Sequence, residues 1–456
     1  DVKNLIETAQ KLEGMTRNIG MHAGGVVIAP GKLTDFCPLY QQPGSDSAVS
    51  MFDKDDVEQI GLVKFDFLGL ATLTILEIAR EFIQKRHKGQ ENFKFEDIPL
   101  DDWPTYKLFQ EGKTEAVFQF ESRGMQGMLK EARPSRLEDL IALNALYRPG
   151  PMDLIPSFVA RKHGTEVIEY PHPLVEKVLA ETYGIMVYQE QVMQTAQVLG
   201  GYSLGGADLL RRAMGKKKPE EMAQHRLLFR EGAGKQGIPP EKADEVFDLM
   251  EKFAGYGFNK SHAAAYSLLA YHTAWIKVHY TAEFFCGNMT VEMDNTDKLK
   301  VLHEDALKMG LTFEPPDVNR GGYRFEPVTD KVIRYGLGAI KGSGQAAIEA
   351  IIAARNGQGP GPQGHVQGPF KSLWDFCTRV DRAKLNKRTL EALIKAGAFD
   401  SIAFTSARSK SCSNAILTDS LCPPMVGVRT QVAVTLILSS PMIFFVSFTI
   451  FISSFV

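Results

Sequence analysis

Cysteine is scarce in this sequence. Five cysteines occur among 456 residues, an odd number without any C-x-x-C pair. They are Cys37, Cys286, Cys377, Cys412 and Cys422. Disulfide frameworks and cysteine-based zinc sites need denser, paired cysteines, so both are excluded, and this usage favours a reducing cytoplasm. A chain of this length buries enough apolar surface to fold without such links, over roughly two to four domains.

Signatures of several enzyme classes are absent as well. The ten histidines form no H-x-x-x-H pair, and neither G-x-S-x-G nor the Walker pattern G-x-x-x-x-G-K-[ST] occurs. Zinc hydrolases, serine hydrolases and P-loop NTPases depend on those spacings for their ligands, nucleophile and phosphate loop. These three classes are therefore excluded.

An excess of charge of one sign is missing, since the formal net charge is only −2. The basic charge is concentrated locally instead. The run R-R-A-M-G-K-K-K, from Arg211 to Lys218, holds five cations in eight positions. Such a run attracts polyanions, because each Lys or Arg near a phosphate displaces a condensed counterion. The alternative is a basic face that is simply solvated.

Both ends of the sequence are unusual. It starts at Asp1 without an initiator Met or a basic-then-apolar signal segment, which predicts an internal fragment of a longer protein. Residues 431–456 carry no charge and exceed the roughly 20 residues that span a bilayer, but Pro441, serines and threonines interrupt them. We expect that the chain does not associate with a membrane, and we interpret residues 404–456 as a tail from a shifted reading frame. A membrane tail anchor is the alternative.

Residues 1–90 alternate strand-like and helical segments. Gly24 to Pro30 is a glycine turn leading into a β-branched run, and Leu62 to Leu70 has an apolar period of two. In the second run the apolar residues share one face, and Lys64 and Asp66 share the other. This pattern predicts a strand that displays a carboxylate on the open face of a sheet. The helix predicted next has an apolar stripe formed by Leu73, Leu76, Ala79 and Ile83.

From about residue 100 to 310 the pattern is mostly helical, with glycine and proline breaks. Breaks are predicted at residues 148–151 and at the loop G-Y-G-F-N-K, residues 255–260, before a long helix from Ser261 to Tyr280. Pro219, followed by two acidic residues, predicts a helix start. A short strand around 332–335, a flexible Gly/Pro/Gln linker at 357–368 and a basic helix at 382–399 follow. The predicted fold class is α+β.

Three segments carry residues suited to phosphate and metal chemistry. Asp66 is a candidate Mg²⁺ ligand because Mg²⁺ prefers hard oxygen ligands; the alternative is an ion pair with Lys64. The helix at 208–218 and the loop at 255–262 supply cations that can neutralise a triphosphate or a nucleic-acid backbone. The turn Gly342-Ser343-Gly344 is suited to presenting backbone N–H groups to a phosphate.

Aromatic residues follow the 255–260 loop along the predicted long helix. Stacking against a base is one role for them, although their spacing of four or five is more typical of a buried core. These residues are His262, Tyr266, Tyr271 and Trp275.

Taken together, these segments resemble the bacterial DNA polymerase III alpha subunits, the C-family of replicative DNA polymerases. The resemblance is collinear from about residue 1 to 403. The matching stretches are M-H-A-G-G-V-V-I-A-P at 21–30, F-D-K-D-D-V-E-Q-I-G-L-V-K-F-D-F-L-G-L at 52–70, F-E-S-R-G-M at 120–125, Y-R-P-G-P at 147–151, G-I-M-V-Y-Q-E-Q-V-M at 184–193, G-G-A-D-L-L-R-R-A-M-G-K-K-K-P-E-E-M at 205–222 and F-A-G-Y-G-F-N-K-S-H-A-A-A-Y at 253–266.

The resemblance implies a partial palm, with a mixed sheet and helices, followed by a large and mostly α-helical fingers domain. Residues 1–100 correspond to the C-terminal half of the palm and 101–310 to the fingers. Residues 311–403 correspond to the end of the fingers, with a helix-hairpin-helix-like segment. Residues 404–456 lie outside the resemblance.

The resemblance also implies a reaction and site residues. The reaction is Mg²⁺-dependent transfer of a dNMP to a primer 3′-hydroxyl, and Asp66 matches the family's third catalytic aspartate, a Mg²⁺ ligand. Gly342 and Gly344 match a turn that contacts phosphate. Implied partners are primer–template DNA, dNTPs and other replicase subunits, including a sliding clamp whose contact region is missing here. The residues implied to bind nucleotide or DNA are Arg148, Arg211, Arg212, Lys216, Lys217, Lys260 and His262.

The sequence also departs from the family pattern. The other two catalytic aspartates, on a D-x-D strand, belong upstream of Asp1. One carboxylate does not anchor two metal ions, so we predict that this chain alone is not an active polymerase. The rival prediction is a non-catalytic nucleic-acid-binding helical protein, which explains the basic helix and the hairpin turn but not the palm segment.

Overall fold

A computed structural model of the chain describes residues 1–15, 20–21, 24–41, 43–216, 219–360 and 365–402, together with two strands at 430–435 and 447–452. The side chains of those two strands, and of Lys54, Asp55, Asp66, Lys216 and Pro219, lie outside the described part. The chain divides into two compact units, Asp1–Ala71 and Thr72–Val456.

The first unit combines helices with two short antiparallel ribbons. β1 pairs with β4 and β2 pairs with β3, so that Gly25 stands opposite Asp66. The Asp53 carboxylate accepts a hydrogen bond from the Asp56 backbone N–H at 2.9 Å and so caps α2. The elements are α1 (Val2–Leu12), β1 (Gly25–Ile28), β2 (Leu39–Gln41), β3 (Ala48–Ser50), α2 (Lys54–Gln59) and β4 (Val63–Asp66).

The predicted strand within 62–70 is present as β4, and its apolar side chains are the more exposed ones. Val63 and Phe65 are 56% and 42% exposed, whereas Lys64 is only half-exposed. Their cross-strand neighbours Ile28 and Val26 are exposed as well. The face that carries Lys64, which the sequence predicted to be open, is therefore the more covered face among the described residues. The ribbon has only two strands and leaves its apolar face to solvent.

The second unit is predominantly helical up to residue 308. Its helices are α3 (Ala71–Arg86), α4 (Trp103–Gln110), α5 (Arg123–Ala132), α6 (Leu137–Leu146), α7 (Ile155–Lys162), α8 (Glu176–Leu179), α9 (Gln189–Gly200), α10 (Leu204–Lys216), α11 (Pro219–Gly234), α12 (Pro240–Ala254), α13 (Lys260–His279), α14 (Thr281–Val291) and α15 (Thr296–Lys308). The breaks predicted at 148–151 and 255–260 and the start at Pro219 are confirmed. Leu73 is an exception to the predicted apolar stripe, since it is exposed in the first turn of α3.

A small mixed sheet and three more helices follow. β5 (Thr312–Glu314) is parallel to β7 (Val332–Arg334), and β6 (Glu326–Thr329) is antiparallel to β7. The remaining elements are α16 (Gln345–Arg355), α17 (Leu373–Arg379), α18 (Lys387–Lys395), β8 (Thr430–Thr435) and β9 (Ser447–Ile452). The α+β fold class with a large helical part is confirmed. No helix in the described residues combines the length and hydropathy that crossing a membrane requires.

The predicted basic helix at 382–399 is shorter in the structure. Asn386 accepts a hydrogen bond from the Thr389 backbone N–H at 2.9 Å, so α18 begins after it, and Gly397 with φ +74° lies just beyond its end. Residues 382–386 form a turn that carries basic side chains. The predicted linker at 357–368 is tied at its ends by a bridge between Asn356 and Gln367, while residues 361–364 lie outside the described part.

Three hydrophobic clusters organise the second unit. The first surrounds α6 and α13, where Tyr271 is fully buried. The second lies between α9, α10, α11 and α12, around Phe229 and Phe247. The third packs α16, α17 and α18 around Phe376. Sites on these helices are therefore held by separate cores.

Candidate nucleic-acid interface

Asp66 is the last residue of β4. Beyond it the chain stays close to β1, because the Phe67 N–H donates to the Gly24 carbonyl at 2.7 Å. A Cβ on Gly24 would collide with the Phe67 carbonyl, so this approach requires glycine. The Asp66 carboxylate lies outside the described atoms, and its assignment as a metal ligand stays a prediction.

The G-Y-G-F-N-K loop is fixed to the segment before α9. The Gln189 N–H donates to the Phe258 carbonyl at 2.9 Å, and the Phe258 N–H donates to the Val187 carbonyl at 3.1 Å. Gly257 lies against Gln189, where a Cβ would be only 3.2 Å from its Cγ. The stretches at 184–193 and 253–266, about seventy residues apart in sequence, are therefore hydrogen-bonded to each other in the folded chain.

Lys260 begins α13 at this junction. Its ammonium donates to both carboxylate oxygens of Glu181, at 2.7 and 2.8 Å, and lies 5.5 Å from the centre of the Tyr188 ring. Its backbone N–H donates to Glu190 at 2.9 Å. Asn259 caps α13 by accepting from the His262 N–H at 2.8 Å. The Lys260 side chain is thus half-exposed and paired with the Glu181 carboxylate, and the residue itself is the first of α13.

Arg148 joins the same loop from the Y-R-P-G-P turn. Its guanidinium donates to the Ala145 carbonyl at 3.0 Å and to the Tyr256 carbonyl, and it lies 4.7 Å from the centre of the Phe258 ring. Burial lowers the pKa of Arg148. Gly150 has φ +98°, and Tyr256 occupies the space that a Cβ there would need. Arg148 therefore holds the loop in position as well as carrying charge.

The two arginines of α10 share one carboxylate. Arg211 donates to Asp208 at 2.8 Å and Arg212 lies 2.8 Å from the other oxygen of the same side chain. The Arg211 guanidinium beside it lowers the pKa of the Asp208 carboxyl. Arg212 is largely exposed and Arg211 is mostly covered. Asp208 thus fixes both guanidinium groups while leaving N–H donors for another anion.

Two lysines that follow Arg211 and Arg212 in sequence were also predicted to bind nucleotide or DNA. The backbone of Lys216 ends α10, but its side chain lies outside the described part. Lys217 lies outside the described residues altogether. Their predicted contacts with nucleotide or DNA stay predictions.

The Gly342-Ser343-Gly344 turn has the backbone that its glycines allow. Gly342 and Gly344 adopt φ +93° and +66°, and Ser343 between them is buried, with its hydroxyl donating to the Leu337 carbonyl at 3.0 Å. The Thr389 hydroxyl of α18 lies 3.3 and 3.2 Å from the Gly342 and Ser343 carbonyls. The turn is therefore fixed against the start of α18.

Basic side chains lie beside this turn and along the α17–α18 connection, and sequence reasoning did not link the two segments. A Cβ on Gly342 would stand 3.4 Å from Nε of Arg388. The other cations near the turn or the α17–α18 connection are exposed, and within the described ranges none of the set forms an ion pair. The set comprises Lys341, Arg382, Lys384, Lys387 and Arg388. Their charge was visible in the sequence, but the proximity of Arg388 to a turn more than forty residues earlier was not.

One group of side chains with potential metal-ligand atoms occurs among the described residues. His87 Nε2 lies 2.8 Å from Glu283, and Asp330 completes the group. Arg86 pairs with both carboxylates, at 3.1 Å for Asp330. Because the Arg86 guanidinium already pairs with both acids, this arrangement is an ion-pair network. Spacing rules did not find it because His87 is 196 residues from Glu283, and Asp330 lies further still along the chain.

Comparison with known proteins matches three regions of the chain to known families. Residues 1–69 match the bacterial DNA polymerase III alpha NTPase domain, residues 72–237 match the bacterial DNA polymerase III alpha subunit finger domain, and residues 310–409 match a helix-hairpin-helix motif. Two of these three regions therefore point to a single class of protein, a bacterial DNA polymerase subunit.

Curated relatives cover most of the chain. It is 59% identical over 402 residues to the DNA polymerase III subunit alpha of Neisseria meningitidis serogroup B, and 55% identical over 409 residues to that of Escherichia coli K12. Each alignment covers 88% of this chain and 34% of the relative, so the chain spans about a third of their length. The chain belongs to the bacterial DNA polymerase III alpha subunit family.

Proposed function

We propose that this chain supplies the C-terminal half of the palm, residues 1–100, and the fingers, from 101 to 403, of a polymerase that copies DNA during bacterial chromosome replication. The observation that carries the proposal is the meeting of the 147–151, 184–193 and 253–266 stretches around Lys260 and Arg148. These separate stretches are those by which the sequence resembles the family.

In the proposed reaction a primer 3′-hydroxyl attacks the α-phosphate of a dNTP, and pyrophosphate leaves. Mg²⁺, when bound, neutralises phosphate charge and favours ionisation of the hydroxyl. Asp66 would hold it with a hard oxygen ligand. The strand register places Gly25, rather than a second carboxylate, opposite Asp66, so the remaining ligands have to come from elsewhere in a full-length polymerase.

The basic residues have separate proposed roles. Arg211 and Arg212, with Lys216 and Lys217, would bind the triphosphate, with Asp208 holding the first two in place. Lys260 would exchange its Glu181 partner for a phosphate oxygen, and His262 would face the nucleotide or template. The turn with Gly342 and Gly344, beside Arg388, would contact the DNA backbone without reading sequence.

A chimera tests the catalytic role. The matching segment of this chain replaces its equivalent in the Neisseria meningitidis relative, with and without Asp66→Asn. We expect the parent chimera to extend a primer, and Asp66→Asn to abolish extension while DNA affinity stays within about twofold, because a neutral amide is a poor Mg²⁺ ligand. Asp53→Asn is the control, since Asn caps a helix as well as Asp does.

The outcomes separate the two candidate functions. Normal primer extension by the Asp66→Asn chimera would overturn the assignment of Asp66. Extension by the 456-residue chain alone would refute the prediction that it is inactive. A folded parent chimera that binds primer–template but never extends it would favour a non-catalytic nucleic-acid-binding protein.

A further inference from the structure

The loop at residues 113–120 is held rigidly from inside the protein. The buried Lys277 ammonium donates to the Lys113 and Glu115 carbonyls at 3.0 and 2.7 Å. The Thr114 hydroxyl, also buried, donates to the Phe120 carbonyl at 2.6 Å. An internal lysine thus fixes a surface loop by its backbone.

Two residues of this loop adopt a backbone conformation that side chains disfavour. Ala116 and Gln119 have φ +58° and +65°, in the left-handed region where non-glycine residues are uncommon. They flank Val117 and Phe118. Val117 is buried and Phe118 is half-exposed, so the strained turns point one side chain inward and the next outward. Such strain persists where the surrounding structure enforces it and often marks ligand sites.

Phe118 is the first ring of an aromatic row on the start of α13. Its ring centre is 5.2 Å from that of Tyr266, which is 4.1 Å from that of His262, which is 5.5 Å from that of Phe258. His262 is exposed and the other three rings are half-exposed. Phe258 packs against the first hydrophobic cluster, whereas Phe118 and Tyr266 belong to none of the three, so core packing does not account for those two rings.

Positive charge adjoins the row. Arg148 lies over the Phe258 ring, and Arg123 is exposed in the first turn of α5. The two segments meet where the Tyr147 hydroxyl fills the space above Gly124. In the part of the chain that the structure describes, neither arginine pairs with a carboxylate. Half-exposed rings beside a cation that no carboxylate neutralises, as Phe258 lies beside Arg148, are the features by which proteins bind unpaired strands, stacking bases on the rings and attracting the backbone to the charge.

We propose that Phe118, Tyr266, His262 and Phe258 form a stacking platform for an unpaired nucleobase. The proposal rests on the proposed function, which supplies two sources of such a base: an incoming nucleotide and an unpaired template strand. The loop at residues 113–120, which Lys277 fixes, holds the Phe118 ring in position before the base arrives. This preorganisation avoids the entropic cost of ordering the ring on binding.

The test measures binding of the 456-residue chain to a single strand containing 2-aminopurine and to the same strand with an abasic residue in that place. Phe118→Leu is expected to weaken binding of the base-containing strand about tenfold and to leave the abasic strand unchanged, because only a base stacks. Phe118→Tyr keeps a ring and should keep the affinity. Trp103→Leu, at an exposed aromatic position with no ring partner among the described residues, is the control.

The possible results discriminate between the two proposals. Equal weakening on both strands, or unchanged binding by a folded Phe118→Leu variant, would overturn the platform while leaving the proposed function standing. Failure of the unmodified chain to bind either strand would count against the proposed function itself. Quenching of 2-aminopurine deoxynucleoside triphosphate that is lost in Phe118→Leu would identify the incoming nucleotide as the source, and quenching of the strand alone would identify the template.

Discussion

Lys277 is a charged residue with no exposed surface, in the last turn of α13. Besides the two carbonyls of the 113–120 loop, its ammonium pairs with Asp305 at 2.7 Å and lies near the rings of Phe284 and Phe285. Burial lowers the pKa of this ammonium, while the Asp305 carboxylate opposes that shift. All three of its protons have acceptors, which is what makes a buried lysine tolerable.

Lys277→Met is expected to destabilise the chain by about 3–5 kcal/mol, because it leaves the Lys113 and Glu115 carbonyls and the Asp305 carboxylate without their donor. The control is Lys298→Met on α15, a half-exposed lysine 3.5 Å from Glu121, where the loss should be about 1 kcal/mol or less. Urea unfolding of the two variants measures the difference. Equal midpoints would show that the Lys277 network contributes little.

The strain at Gln119 can be measured by the same substitution at two positions. Gln119→Gly should leave stability unchanged or raise it, because glycine adopts φ +65° without steric penalty. Gln126→Gly, inside α5, should lower it by about 1 kcal/mol. Both changes add similar freedom to the unfolded chain, so the difference reports the native backbone together with the exposed hydrogen bond that the Gln126 side chain donates to the Glu121 carbonyl. Thermal unfolding that ranks Gln119→Gly below Gln126→Gly would contradict strain at this loop.

At the scale of elements, Arg379 at the end of α17 fixes the segment that the sequence predicts as a linker. Its buried guanidinium donates to the Ala354 and Gly368 carbonyls at 3.0 and 2.7 Å and lies 4.6 Å from the centre of the Phe370 ring. The Gly368 N–H in turn donates to the Arg355 carbonyl at 2.9 Å. The ends of the 357–368 segment are therefore anchored to α16 and α17.

Arg379→Lys should loosen these ends, because a single ammonium does not reproduce the fork geometry that reaches two carbonyls and stacks on a ring. Amide hydrogen exchange at Gly368 and Gln358 is expected to accelerate about tenfold or more, since each 1.4 kcal/mol of lost local stability is a factor of ten. Arg382→Lys, at an exposed arginine without an ion pair in the described ranges, is the control. Identical exchange in both variants would rule out the anchoring role.

Rules that depend only on a residue and its sequence neighbours predicted where most helices and strands lie. They predicted less well which side chains are buried. Proline at Pro219 and glycine at Gly150 act on their own backbone, so the helix start and the break at these positions were predictable. The exposure of Phe65 was not, because burial depends on whether another element covers the ribbon. Of the aromatic residues predicted on α13, Tyr271 is in the core while His262 is exposed, a difference that helical spacing alone does not contain.

At the scale of the whole molecule, the sequence indicated which stretches matter but not how they contact one another. Arg148 and Lys260 were predicted from the resemblance, and the structure brings their segments together. Glu181, the partner of Lys260, was not singled out, because an ion pair across seventy-nine residues leaves no periodic signal. For Asp66 and Lys217 the prediction is untested, since the relevant atoms lie outside the described part.

Because the second unit has separate hydrophobic cores, we predict that the helices around one core unfold locally without those around another. Phe247 is fully buried between α11 and α12, and Phe376 is fully buried among α16, α17 and α18. Each is surrounded by its own cluster, with Phe229 at 5.6 Å from the first and Phe399 at 4.9 Å from the second, between ring centres. Removing a buried phenylalanine lowers stability by about 3–5 kcal/mol, enough to expose the local cluster to exchange.

Phe247→Ala is therefore expected to accelerate amide hydrogen exchange in α9–α12 and to leave α16–α18 protected, and Phe376→Ala should do the reverse. The two changes delete the same atoms from fully buried positions, so each variant is the matched control of the other. Acceleration of both regions by either variant would mean that the unit opens as one cooperative body. Independent opening would mean instead that the basic helix α10 and the turn at Gly342 are held by separately stable cores, so that damage to one leaves the other folded.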